Sequence, residues 1–174
     1  MVRSVTQFPE PGPETADPAV LFARYLDFYR ETVIRKVSAL SEPERRRTRL
    51  PSGWTPLALL FHLACMERRW LVWGFLGEQV ADPWPDSQGS PDQPWRVPED
   101  MTLDAIVSMM RGVGARTSAV LGEEPLDRQA PPGPRFTGEP ATLAWICFHV
   151  LQEYARHAGH LDIAVELAGG PLGE

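Results

Sequence analysis

The sequence predicts an all-α protein, a four-helix bundle with long crossover loops. Four segments, each of roughly 20 residues or more, carry apolar side chains at spacings of three and four, as expected for helices with a buried face. Each segment begins at an Asp or Thr that suits the N-cap position. The chain has no alternating strand pattern and no glycine-rich phosphate loop that would favour another architecture.

The first predicted helix covers residues 18–40. Asp17 stands before a proline, the order expected of an N-cap followed by proline at the first helical position. Ser41 and Glu44 after the helix form a capping-box pattern. The preceding residues 1–16 are proline-rich and have no apolar stretch, so we expect a flexible N-terminal tail.

The second predicted helix covers about residues 57–76 and follows Thr55, its predicted N-cap. The segment is apolar around most of its circumference, which is typical of a helix inside a bundle. Glu67, Arg68 and Arg69 mark its predicted solvent-facing side.

A long connection follows this helix. Residues 80–100 hold five prolines and show no apolar period, which predicts a crossover loop. The loop also carries Trp84 and Trp95, and loop residues of this size are candidates for a pocket lid.

The third predicted helix begins at Thr102 and ends near Gly122, and the fourth begins at Thr142 and ends at Gly169. A second irregular stretch with a Pro-Pro-Gly-Pro run separates them. We therefore expect residues 17–170 to form a single bundle domain.

Composition and charge exclude several classes of function. The chain has 17 Lys+Arg against 23 Asp+Glu, a net charge of -6, which argues against nucleic acid because phosphate binding depends on clustered basic residues. No segment approaches the roughly 20 apolar residues of a membrane span, and the first residues do not resemble a secretory signal. We expect a cytoplasmic protein with no membrane partner, in which Cys65 and Cys147 are buried free thiols.

All four histidines lie on two predicted helices, His62 on the second and the other three on the fourth. With His149 set at zero, about 100° per residue places Glu153 near 40°, His157 near 80° and His160 near 20°. Glu153 and His157 can then reach one ion, with His62 arriving from the facing helix. Three protein ligands would leave coordination positions open for a substrate.

The alternative is that these histidines are core or boundary residues satisfied by their neighbours. Apolar residues surround them in the sequence, and burying four titratable groups without a metal would be costly, which favours a metal site. Among the remaining histidines, His149 lies one turn before Glu153 and could replace it as a ligand.

The chain resembles the DinB-like (YfiT-like) family of metal-dependent four-helix bundles. The resemblance rests on Gly53–Pro56 leading into Phe61–Leu63 and Glu67, and on Glu153–Ile163 near the C-terminus. Members are similar to mycothiol and bacillithiol S-transferases and to the N-terminal domain of mycothiol-dependent maleylpyruvate isomerase. The stretch Arg156–Asp162 also resembles an actinobacterial subgroup of the family.

The resemblance implies a divalent ion, zinc first and nickel second, held by His62, Glu153 and His157. Glutamate at position 153 matches the isomerase branch, but the sequence has no counterpart of the isomerases' additional C-terminal domain, which argues against maleylpyruvate isomerisation. The expected reaction is transfer of a small-molecule thiol, mycothiol, to a small electrophile. A metal-dependent hydrolase and a non-catalytic ligand-binding bundle are the alternatives.

For a thiol transferase, the chemistry suggests roles for four further residues. His160 or His149 is the candidate catalytic base that receives the thiol proton. Arg156 or Arg68 could bind an acidic group of either substrate, although both could also be solvated surface residues. The apolar circumference of the second and fourth helices also suggests a homodimer.

Overall fold

The computed structural model describes residues 10–90 and 92–171, and within them the predicted all-α bundle is confirmed. The described residues form no strand, and the loop before the last helix contains only two isolated β-bridges. In this part of the chain five α-helices follow one another: α1 (Pro18–Ser38), α2 (Glu42–Arg45), α3 (Pro56–Glu67), which continues as a π-helix over Arg68–Phe75, α4 (Leu103–Glu123) and α5 (Leu143–Leu167). The long helices α1, α3, α4 and α5 pack around one core.

The predicted helix starts are confirmed by capping hydrogen bonds. Four N-cap side chains each accept a hydrogen bond from a backbone N–H of the first turn: Asp17, Thr55, Thr102 and Thr142. The capping box at Ser41 is wrong, because that side chain makes no capping bond and Glu44 instead accepts hydrogen bonds from Arg49. At the other end of the chain, Gly169 has a φ of +74°, the left-handed conformation that ends α5.

Residues outside the helices are described only in part. Residues 1–9 of the predicted tail lie outside the described residues, while Glu10 and Thr15 accept hydrogen bonds from α1 side chains. The single domain over 17–170 stays a prediction. None of the described helices is long and apolar enough to cross a membrane, and the cytoplasmic location stays a prediction.

The predicted solvent side of the second helix is wrong at two of its three positions. Glu67 has no exposed surface and Arg69 is 4% exposed. Both cysteines are buried and free, as predicted, and burial raises the pKa of each thiol to about 12.

Glu67 is the centre of a polar cluster that joins all four long helices. Its carboxylate accepts hydrogen bonds from Arg30 of α1 at 2.8 Å, Thr117 of α4 at 2.6 Å and Tyr154 of α5 at 2.7 Å. All four side chains are buried. Gly114 gives the guanidinium room, because a Cβ there would lie 2.5 Å from Arg30 Cζ. The buried charge is therefore paired and hydrogen-bonded on every side.

Apolar surface remains exposed on α5 but hardly on α3. A groove of about 460 Å³ between α1 and α5 is lined by Phe22, Tyr25 and Phe148, and Phe148 is 64% exposed. The predicted homodimer would need such a surface, and it stays a prediction.

Glu67→Gln should lower the free energy of unfolding by about 3–5 kcal/mol, because it leaves the Arg30 guanidinium buried without its carboxylate. Urea denaturation measures the change. The control is Glu78→Gln, which removes the exposed ion pair with Arg116 and should cost less than about 1 kcal/mol. Equal midpoints for both variants would show that the Glu67 cluster does not hold the bundle.

Candidate metal centre

The structure brings His62, Glu153 and His157 together between α3 and α5. One potential ligand atom from each lies within 4.8 Å of the other two. His157 Nε2 is 3.1 Å from Glu153 Oε2, one helical turn away, and the His62 and His157 rings are 5.3 Å apart. Two imidazoles and one carboxylate form a donor set suited to zinc with open positions.

A carboxylate from the crossover loop orients His62. Asp86 Oδ2 is 2.7 Å from His62 Nδ1, and Asp86 is also held by the buried guanidinium of Arg69. Burial opposes ionisation of Asp86, but the hydrogen bonds from His62 and Arg69 outweigh it and hold the pKa of this carboxyl below its usual value. A carboxylate on Nδ1 fixes the tautomer with the proton there, which leaves Nε2 free to bind an ion.

The His157 ring is oriented in a similar way, with His160 in the place that Asp86 takes beside His62. His160 Nδ1 lies 3.3 Å from His157 Nδ1, so one ring donates to the other. If His157 donates, its Nε2 faces Glu153 with a free lone pair. The predicted catalytic residue His160 therefore lies beside a candidate ligand, on the side away from Glu153.

One of the two loop tryptophans covers the site. Trp95 stacks on the His62 ring at 4.2 Å and meets His157 edge to face at 5.0 Å. Trp84 lies instead over the guanidinium of Arg69, at 4.3 Å. A cavity of about 280 Å³ opens beside His62, between these two tryptophans and the loop.

His149 is not part of the converging group, which consists of His62, Glu153 and His157. It lies one turn before Glu153, with Trp70 at 4.3 Å and Trp145 stacked on it at 5.3 Å. Burial lowers the pKa of His149, which keeps the imidazole neutral at pH 7.

Among the described residues, neither of the two predicted arginines forms a hydrogen bond or ion pair with a candidate ligand. Arg68 donates a hydrogen bond to the carbonyl of Asp82 at 2.8 Å and so anchors the crossover loop. Arg156 is exposed on α5; burial lowers the pKa of His160, and the neighbouring His157 and the charge of Arg156 lower it further.

The sequence reasoning missed Asp86 and misplaced Arg69. Asp86 has no periodic pattern around it, and nothing in the loop sequence separates it from Asp82 or Asp92. Arg69 stands in a charged run of the kind that is usually solvated. Only the folding of the loop back over α3 brings the two side chains together at His62.

Comparison with known proteins gives a family match. A family model described as mycothiol-S-transferase (MST) matches residues 21–170, which include all three candidate ligands and nearly all of the four long helices. No curated protein matches the chain. The match confirms the family resemblance seen in the sequence, and the chain belongs to the mycothiol-S-transferase family.

Proposed function

We propose that the protein is a divalent-metal-dependent S-transferase that joins the thiol of mycothiol to a small electrophile. The observation that carries the proposal is the convergence of His62, Glu153 and His157. In both imidazoles Nδ1 is hydrogen-bonded, to Asp86 in His62 and to His160 in His157. Membership of the mycothiol-S-transferase family supports the choice of thiol.

The residues present fit a resident divalent ion. Two imidazole nitrogens and one carboxylate oxygen suit zinc or nickel, and three protein ligands leave room for a substrate atom. Bound there, the ion would lower the pKa of a thiol ligand and so make a thiolate available at neutral pH.

The protein's own residues orient the ligands and shield the site. Asp86 holds the His62 ring and His160 holds the His157 ring, so both Nε2 atoms keep their direction. Trp95 packs against both rings and keeps water from that side. A site prepared in this way does not have to reorganise during the reaction.

The thiol proton needs an acceptor, and His149 suits that role better than His160. Burial lowers the pKa of both imidazoles, but Nδ1 of His160 is engaged by His157, whereas His149 lies one turn from Glu153 outside that hydrogen bond. In the transfer, sulfur forms a bond to the electrophilic carbon, the thiol proton passes to His149, and the leaving group departs with its bonding electrons. Arg156 and Arg68 stay predicted contacts for an acidic group of a substrate.

His62→Ala and His157→Ala should each be strongly depleted in metal while remaining folded, because each removes one of three ligands. Elemental analysis of protein purified without a histidine tag measures about one ion per chain in the wild type if the proposal holds. His149→Ala, which removes no ligand, is the matched control and should keep its ion. Wild-type metal content in both ligand variants would disprove the assignment.

His149→Gln and His160→Gln should fail in different ways. Loss of the proton acceptor at His149 should slow conjugation about a hundredfold or more with metal affinity unchanged. Loss of the group that orients His157 should weaken metal binding about 10–100-fold. Steady-state kinetics and ion titration against a chromogenic chelator separate the two. Equal metal loss in both variants would contradict these roles.

Metal-loaded protein should conjugate mycothiol to monobromobimane faster than the uncatalysed reaction does. Glu153→Ala should reduce the rate to the uncatalysed rate, because the variant lacks one of the three ligands. Cysteine in place of mycothiol is the matched thiol control and should react more slowly. Fluorescence of the bimane conjugate reports the rate. If mycothiol gives no acceleration while an ester or amide panel is turned over without thiol, the protein is a hydrolase.

A further inference from the structure

A second group of side chains lies next to the candidate metal centre, on the Glu153 side. The Arg135 guanidinium stacks on the Trp70 ring at 3.8 Å. Trp70 in turn contacts His149 at 4.3 Å and Trp145 at 5.5 Å. We call Trp70, Arg135, Trp145 and His149 the Arg135 platform. It combines a cation with flat aromatic surface, of which Trp145 is 52% exposed.

Arg135 has no counterion within the described part of the chain, unlike the two fully buried arginines of the bundle. Arg30 pairs with Glu67 and Arg69 pairs with Asp86, but among the described residues no carboxylate or carbonyl pairs with Arg135. Its Nε is buried without a hydrogen-bond partner, a feature that Arg35 and Arg68 share, but of these three only Arg135 also stacks on an aromatic ring of the described residues. Burial and the nearby Arg69 guanidinium lower the pKa of Arg135, as expected of a partly buried cation without a counterion. An anion would provide one.

The platform is continuous with the metal centre. His149 precedes Glu153 by one turn of α5, a rise of about 6 Å. Gly74 of the π-helix lets the loop with Arg135 pack closely, since a Cβ there would lie 3.2 Å from Phe136 and 3.4 Å from Arg135 Cγ. A molecule held by Arg135 would therefore lie beside the site that receives the thiol.

A purely structural role for Arg135 does not explain these features. Arg128 makes a similar contact over Phe75, at 5.5 Å, and also pairs with Glu124. An arginine that only anchors a loop to the bundle can thus have a counterion in this fold. Arg135 has the ring contact without the counterion.

We propose that the Arg135 platform binds the second substrate, an electrophile in which a carboxylate is attached to a planar unsaturated or aromatic group. The guanidinium receives the carboxylate, and the exposed ring of Trp145 receives the planar group. This inference rests on the proposed function for the role of the bound molecule, but the binding of the anion does not depend on catalysis.

The test uses two unreactive probes of equal shape, 4-methylbenzoate and 4-methylbenzamide, titrated against the metal-loaded protein by tryptophan fluorescence. Wild type should bind the benzoate at least about tenfold more tightly, as expected of a charge-assisted hydrogen bond. Arg135→Gln should lose this preference, and Arg135→Lys should keep part of it because the charge remains. Arg128→Gln, the matched control, should keep all of it.

Other outcomes overturn the inference. If wild type binds both probes equally, or if Arg135→Gln keeps the preference because the benzoate binds the metal ion, there is no anion site on the platform. Trp145→Ala changes an exposed position and should not disturb folding. This variant should bind both probes more weakly, by the same factor. Unchanged binding of both probes by Trp145→Ala would also overturn the platform.

A reactive pair separates this inference from the proposed function. With mycothiol, 4-(bromomethyl)benzoate should show a KM at least about tenfold lower than 4-(bromomethyl)benzamide, and Arg135→Gln should remove the difference. Failure of all conjugation, with the benzoate preference of the unreactive probes intact, would reject the transferase and leave the anion site standing. Conjugation of both electrophiles with equal KM would support the transferase and overturn the platform.

Discussion

The buried carboxylate of Glu67 is the interaction on which the rest of the structure depends. A charge without exposed surface is tolerated only when every lone pair has a donor, and its donors come from α1, α4 and α5. Glu67 lies on the same helix as His62, and Tyr154 directly follows Glu153. The contact that joins α3 to α5 therefore also fixes how far His62 stands from the other two candidate ligands. Stability and the geometry of the site share one constraint.

The crossover loop is part of the site and not only a connection. Its Asp86 fixes the tautomer of His62, its Trp95 covers the imidazoles, and Arg69 ties the loop to the π-helix that continues α3. The π-helix is a wider turn than an α-helix and is often found at functional sites. Here it carries both Arg69, on the loop side, and Trp70, on the Arg135 side. One distorted segment thus connects the two surfaces that flank the candidate metal centre.

The two imidazoles have chemically different partners. Asp86 places a carboxylate beside Nδ1 of His62, and such a partner raises the basicity of an imidazole that acts as a ligand. His160 is neutral when it accepts from His157, so it orients that ring with less effect on its basicity. Arg69 pairs with Asp86 and offsets part of its charge, so the two rings differ less than a bare carboxylate and a neutral imidazole would make them.

The sequence by itself determined the helices and one face of the site. Apolar spacing and four N-cap residues are local signals, so the all-α class and the helix starts could be predicted, as could the shared face of Glu153 and His157 on one helix. The tertiary structure alone decided which polar residues are buried and which loop residues meet the helices. Glu67 and Arg69 resemble solvated charges in sequence, and Asp86 resembles any loop aspartate, because hydrogen-bond partners 17 to 87 residues away determine their environments. Burial of a charge depends on those distant donors, and periodicity along one segment carries no information about them.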